Sequence, residues 1–182
     1  MKKEFGIGDN AVYKLTKEIS LRGDLEELIA SISVLIAHLD NNMQIKLQCS
    51  EIMKDLINIV DDLANGSELF DYRRVKLIES WINSFNVNYP ANRKFYPICT
   101  KVSSKSLVCT TLVRRCERNY LVYKEADACV YLNRLGDYFY VVTRFLNEQA
   151  GMEDYLWFYL QQIMLINYKK LRTFYLDIKL CH

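Results

Sequence analysis

The densest concentration of side chains able to do chemistry is Arg114-Arg115-Cys116-Glu117-Arg118. On a helix, Arg114 and Arg118 stand one turn apart on a single face, with Glu117 beside them. Like charges at that spacing repel weakly unless something negative lies between them. Two readings fit. Either Glu117 is that group and the helix carries an exposed, ion-paired face, or a phosphate chain sits there, matched by the paired donors of guanidinium. A second cluster follows in Tyr131-Leu132-Asn133-Arg134-Leu135-Gly136-Asp137-Tyr138-Phe139. Asn133 and Asp137 are again one turn apart, so an amide and a carboxylate share a face beside apolar residues. Gly136 inside a helix costs about 1 kcal/mol against Ala, unless close packing or a ligand needs the space. Together these residues are suited to the polar wall of a nucleotide site.

Composition sets what can position them. The chain has 182 residues, 51% hydrophobic and 25% charged, enough for one domain with a core of its own. Six Gly and two Pro are too few for a hairpin-rich β-fold and favour long helices. Two His, one of them the final residue His182, argue against a His-dependent triad or a His-rich zinc site. A formal charge of +2 gives no large basic field, so nucleic acid is not an expected partner. Cys49, Cys99, Cys109, Cys116, Cys129 and Cys181 contain no Cys-x-x-Cys pair, and Cys99, Cys109, Cys116 and Cys129 read as small core residues rather than metal ligands. Met1-Lys2-Lys3-Glu4 leads into Gly6 and Gly8 without an apolar stretch, and the longest uncharged runs, Leu28–Leu39 and Tyr155–Tyr168, fall short of the ~18–20 residues of a membrane span. The expectation is a cytoplasmic protein with reduced thiols and no membrane association.

Apolar spacing of three and four recurs along the chain and predicts helices. Leu25, Leu28, Ile32, Leu35 and Leu39 form one stripe, with Asp24 and Glu27 read as its N-terminal capping box. Ile45, Cys49, Ile52, Leu56, Ile59 and Leu63 form the second, with Gly66 at its C-terminus. Val75, Ile78, Ile82 and Phe85 form the third, ending before Pro90 and Pro97. The fourth carries Cys109, Val113, Cys116, Tyr120 and Tyr123. The fifth carries Leu132, Leu135, Phe139, Val142 and Leu146 and stops near Gly151. A sixth, aromatic-rich helical segment is expected over 153–182. The pattern predicts an all-α, up-and-down bundle of five to six helices in a single domain spanning 1–182, with an irregular N-terminal arm over 1–22.

The two clusters resemble the paired signature of PduO-type ATP:cob(I)alamin adenosyltransferases, R-R-A-E-R on one helix and N-R-L-S-D-Y-L/F on the next. More weakly, Gly8-Asp9 resembles part of that family's T-x-x-G-D-x-G-x-T nucleotide loop, and Gly23-Asp24-Leu25-Glu26-Glu27-Leu28 resembles its Y-G-x-V-D-E-L-N segment. The resemblance runs through about residue 150. It implies a helical bundle assembled as a homotrimer with a site at each subunit interface. It also implies Mg²⁺-ATP and a corrinoid (cobalamin) as ligands, and transfer of the 5′-deoxyadenosyl group of ATP to reduced cobalt with release of triphosphate. The cobalt is then the nucleophile, and the protein's work is to position C5′ and hold the leaving group.

By position, the resemblance makes Arg114 and Arg118 phosphate or ribose ligands, Glu117 a residue that orients them, and Asn133 and Asp137 walls of the nucleotide pocket. Arg114 and Glu117 are the implied catalytic pair. Gly8 and Asp9 belong to the phosphate and metal loop, Glu26 to the interface, and Phe95 to the region facing the corrinoid. This chain departs from the pattern in several places. Phe5, Ala11 and Tyr13 replace the loop's T, G and T, and Thr110 replaces the arginine that pairs with the carboxylate matched by Glu26. Ile29 replaces the Asn of D-E-L-N, and Tyr96-Pro97-Ile98-Cys99 stands for L-P-G-G. These departures keep two alternatives open: a non-catalytic paralogue binding a corrinoid, nucleotide or protein partner, and a bundle used for protein interaction through its aromatic C-terminal segment.

Overall fold

The computed structural model describes residues 3–5, 11–13, 17–86, 99–123 and 127–152. Five helices dominate: α1 (Lys17–Ala37), α2 (Met43–Asn65), α3 (Arg73–Asn86), α4 (Lys101–Tyr123) and α5 (Asp127–Gln149). They are preceded by a two-stranded antiparallel ribbon, β1 (Lys3–Phe5) and β2 (Ala11–Tyr13), in which Phe5 pairs with Ala11 and Lys3 with Tyr13. The aromatic segment over 153–182 lies outside the described residues.

Each predicted stripe forms the inward face of a helix. Leu25, Leu28, Ile32, Leu35 and Leu39 are fully buried, as are Cys49, Ile52 and Leu56 on α2 and Leu132, Leu135, Phe139 and Val142 on α5. They join with Val75, Ile78, Cys109, Val113 and Cys116 in one hydrophobic core. Gly66 ends α2 in the left-handed conformation (φ 66°, ψ 24°), its N–H donating to the Asp62 carbonyl at 3.0 Å, as a glycine C-cap should. Asp62 then organises the α2–α3 connection. Its carboxylate accepts from Ser67 Oγ at 2.8 Å and from the N–H groups of Leu69 and Phe70 at 2.7 and 2.9 Å. Gly151, also at positive φ (69°), stops α5, where the Met152 N–H returns to the Asn147 carbonyl at 2.9 Å.

The N-terminal third differs from the sequence expectation. The arm is not irregular through residue 22, because α1 begins at Lys17 and the ribbon precedes it. Leu21 extends the buried stripe by one turn, which outweighs the helix cost of Gly23, whose surroundings are open. Asp24 and Glu27 are therefore mid-helix and cap nothing. Ala11, at the family's glycine position, lies within a strand, where the backbone needs no positive φ and alanine brings no strain.

Cross-helix bonds fix the directions. Asp24 and Glu27 on α1 meet Asn119 and Arg115 on α4, and Asn133 and Asn147 on α5 meet Glu117 and Ser103 on α4, so α4 is antiparallel to both neighbours. Tyr131 and Tyr138 on α5 donate to Asp55 and Gln48 on α2, again antiparallel. The α3 helix runs alongside α5 in the same direction, with Trp81 near Tyr138 and Phe85 near Phe145, ring centroids 5.9 and 5.2 Å apart.

Candidate nucleotide site on the α4–α5 face

The α4 helix is started by a reciprocal cap. The Thr100 N–H donates to Ser103 Oγ at 2.7 Å, and the Ser103 N–H donates to Thr100 Oγ1 at 3.2 Å. Ser103 Oγ also donates to Asn147 Oδ1 at 2.5 Å, and the buried Ser106 hydroxyl donates to the Phe139 carbonyl at 2.8 Å. These bonds lock α4 and α5 in register along their length. The register brings Arg114 over Gly136 and Glu117 within reach of Asn133.

The five residues of the Arg-Arg-Cys-Glu-Arg cluster then divide into three groups. Cys116 is fully buried in the core, and burial pushes its thiol up to about 12. Arg115 turns toward α1: its Nε lies 3.0 Å from Asp24 Oδ1, and its Nη2 donates to Glu27 Oε2. The Nε contact is electrostatic rather than an in-line hydrogen bond. Glu27 first, and Asp24 with it, hold the Arg115 guanidinium above its ordinary pKa. Asn119 Nδ2 completes this clasp by donating to Asp24 Oδ2 at 2.5 Å.

Glu117 reaches α5, Arg114 lies over Gly136 of α5, and Arg118 is exposed to solvent. Glu117 does not sit between the arginines, as the sequence suggested. Its Oε1 accepts from Asn133 Nδ2 at 2.9 Å, because the α4–α5 register puts the amide within reach. Arg114 and Arg118 are exposed, and among the described residues neither has a hydrogen-bond or ion-pair partner. The intrahelical ion-paired face is thus not formed. Gly136 is buried directly beneath Arg114: a Cβ there would lie 3.7 Å from Arg114 Cγ and 3.8 Å from Val113 Cγ1. That is ordinary contact, so the glycine is not forced, but a longer side chain would displace the arginine stem.

Other expected residues are placed differently. Asp137 does not join Asn133. It accepts from Arg134 Nη1 at 3.1 Å, and Arg134 Nε lies 3.5 Å from Glu79 on α3. Glu26 is exposed and pairs with Arg22 one turn back on α1 (3.0 Å). Thr110, at the family's arginine position, is buried and donates to the Ser106 carbonyl at 3.1 Å, so it reaches no carboxylate. Gly8, Asp9 and Phe95 lie outside the described residues. Cys49, Cys109, Cys116 and Cys129 are buried as core residues, whereas Cys99 is only half-buried. Among the described residues no cluster of three or more His, Cys, Asp or Glu is arranged to hold a metal, and no helix is long and apolar enough to cross a membrane.

A second polar assembly was not read from the sequence. Asp55 occupies a core position of α2, where Tyr131 Oη donates to its Oδ2 at 2.7 Å and Arg74 Nε approaches Oδ1 at 2.7 Å. Burial pushes the Asp55 carboxyl up, with Tyr131 and Arg74 pulling it back. The sequence signal was a carboxylate lying between Ile52 and Ile59 on the inward stripe.

Comparison with known proteins agrees with this geometry. The sequence pattern of the cobalamin adenosyltransferase family matches residues 5–146, from the last residue of β1 through both clusters. This chain belongs to that family. It is 29% identical over 160 residues to a cobalamin adenosyltransferase of Cupriavidus metallidurans, covering 84% of this chain and 87% of the relative. It is 26% identical over 166 residues to the corrinoid adenosyltransferase of Bacillus subtilis, covering 84% and 86%. Its fold matches a variant of the PduO-type ATP:corrinoid adenosyltransferase from Lactobacillus reuteri complexed with cobalamin and ATP, with TM-score 0.73, 25% identity and coverage of 83% and 89%. Another variant of that enzyme, complexed with ATP, matches with TM-score 0.72.

Proposed function

We infer that this member of the family transfers the 5′-deoxyadenosyl group of ATP to the cobalt of a reduced corrinoid. The new bond joins cobalt to C5′ as the C5′–O bond breaks. The cobalt gives up the electron pair, and triphosphate leaves with the electrons of the broken bond. A side-chain nucleophile is not needed, and the buried thiols, Cys49, Cys109 and Cys116, are pushed by burial to about 12 and are unsuited to that role.

What the protein must supply is a place for the accumulating charge of triphosphate. One observation carries the assignment: Arg114 and Arg118 project from the same face of α4 without a partner among the described residues, while Arg115 and Glu117 are each held elsewhere. Two free guanidiniums one turn apart suit a polyphosphate, each offering paired donors. Asn133 and Gly136 form the adjacent α5 wall, and Asp137, tied to Arg134, borders it. Mg²⁺ would be held mostly by the phosphates and water, with one or two carboxylates. Gly8 and Asp9 are assigned to the phosphate loop and Phe95 to the corrinoid side by the family pattern. A homotrimer in the cytoplasm, with the loop donated across each interface, completes the reading. Such an interface would be formed without the family's arginine at position 110, where Thr110 bonds the Ser106 carbonyl and Glu26 pairs with Arg22.

The test is an anaerobic assay with ATP, Mg²⁺ and reduced cobalamin, following loss of the cob(I) absorption. Decay should require ATP, and Arg114→Ala should slow it by about 100-fold or more, the usual scale for losing a group that stabilises developing charge. Unchanged turnover in that variant removes Arg114 from the site.

A further inference from the structure

The bond between Asn133 and Glu117 has a consequence for the arginines beside it, and it rests on the function inferred above. Glu117 lies three residues after Arg114, a spacing at which side chains on a helix meet. A free glutamate there would pair with Arg114 and occupy the guanidinium that a triphosphate needs. In the folded chain, Asn133 Nδ2 instead holds the Glu117 carboxylate at 2.9 Å, across the α4–α5 boundary. The second acidic pair near the cluster, Asp24 and Glu27, is taken by Arg115 and Asn119. Among the described residues, Glu117, Asp24, Glu27 and Asp137 are thus each engaged by a group other than Arg114 or Arg118, and neither arginine has a partner there.

We propose that Asn133 is a positioning residue that acts through Glu117. By drawing the carboxylate onto α5, it keeps Arg114 available to the polyphosphate of ATP. This role is separate from any contact between Asn133 and the nucleotide. The two roles predict opposite results when the donor and acceptor are exchanged. In Asn133→Asp a second carboxylate replaces the amide donor that faces Glu117, and the glutamate is driven toward Arg114. In the double variant Asn133→Asp/Glu117→Gln the amide and the carboxylate trade places. The net charge is that of the wild type, and the cross-helix bond can re-form with its direction reversed.

The experiment measures binding of inorganic tripolyphosphate by calorimetry, together with KM for ATP and kcat, in the full chain. Asn133→Ala and Asn133→Asp should raise the tripolyphosphate Kd about five- to tenfold, equivalent to about 1–1.4 kcal/mol, and lower kcat/KM for ATP by at least that factor, because the same guanidinium carries the charge of the departing triphosphate. The exchanged double variant should return the tripolyphosphate Kd to within about twofold of wild type. A double variant as weak as Asn133→Asp alone means that the Asn133 amide itself touches the ligand, and overturns the positioning role. Unchanged Kd in both single variants overturns it as well. Unfolding of Asn133→Ala is separated from loss of binding by the near-isosteric Asn133→Asp and by the exchange. Arg114→Ala distinguishes failure of the inference from failure of the functional reading. If tripolyphosphate binding survives that variant, the polyphosphate site itself is elsewhere.

Discussion

Two arginine environments in this bundle contrast sharply. Arg74 points inward across the α2–α3 seam onto Asp55, which also receives the Tyr131 hydroxyl, and Arg74 Nη2 reaches Glu51 at 3.4 Å. Arg114 points outward from α4, with Gly136 beneath its stem and no acid bound to its guanidinium among the described residues. The first arrangement is closed: Asp55 takes the Tyr131 hydroxyl and the Arg74 charge, the latter as an electrostatic contact rather than an in-line hydrogen bond, and its contribution is to the fold. The second is open: its guanidinium is exposed with its neighbours engaged elsewhere, which is what the proposed polyphosphate site requires. Arginine content alone does not distinguish the two. What differs is where the nearest carboxylates are bound.

That contrast can be broken at the inward pair first. Asp55→Ala leaves Arg74 without its main partner and the Tyr131 hydroxyl unsatisfied in the core, and should cost about 3 kcal/mol of stability. Urea unfolding measures it, and a loss below about 1 kcal/mol would mean that the inward network is not structural. Turnover per folded molecule should be kept, which separates this variant from Arg114→Ala.

The buried thiols sharpen the same distinction through pH. Cys49, Cys109 and Cys116 are pushed from an ordinary 9.0 to about 12, chiefly by burial. The unfolded chain releases these protons near pH 9 while the folded chain keeps them. The stability they contribute is complete below pH 9 and is lost as pH rises toward about 12. The expected slope is about 1.4 kcal/mol per group per pH unit within that window. Urea midpoints at pH 8 and pH 10 should therefore differ, and alkylation of the three thiols at pH 8 should await unfolding. Rapid alkylation of the native protein would contradict their burial.

The smallest effects are expected at Gly136. Alanine fits at ordinary contact distance and should stabilise α5 by up to about 1 kcal/mol with ATP kinetics unchanged. Leucine at the same position should push the Arg114 stem aside and raise KM for ATP several-fold. Equal kinetics in both variants would mean that Arg114 does not depend on its α5 support.

Most of this was legible in the sequence where a residue's periodicity determined its environment. The five buried stripes, the glycine ends at Gly66 and Gly151, and the two polar clusters follow from spacing alone. The start of α1 did not, because Asp24 and Glu27 imitate a capping box while Leu21 lies one turn earlier on the same inward face. Their real partners, Arg115 and Asn119, are distant in sequence. Glu117 shows the same effect: local spacing offers it Arg114, but tertiary register offers it Asn133. Asn133 and Asp137 share a face by count yet bond in different directions, one to α4 and the other to Arg134. Periodicity shows which face a residue occupies, and only the packed helices decide which neighbour it meets.

The central claim is that Arg114 is free to bind the triphosphate of ATP during adenosyl transfer. Its most direct test compares wild type and Arg114→Ala in anaerobic cob(I) decay with ATP and Mg²⁺, with thermal unfolding as the control. ATP-dependent decay that falls by about 100-fold in the variant, at an unchanged unfolding temperature, is the expected result. Equal decay in the two proteins, or wild-type decay that does not need ATP, would contradict it.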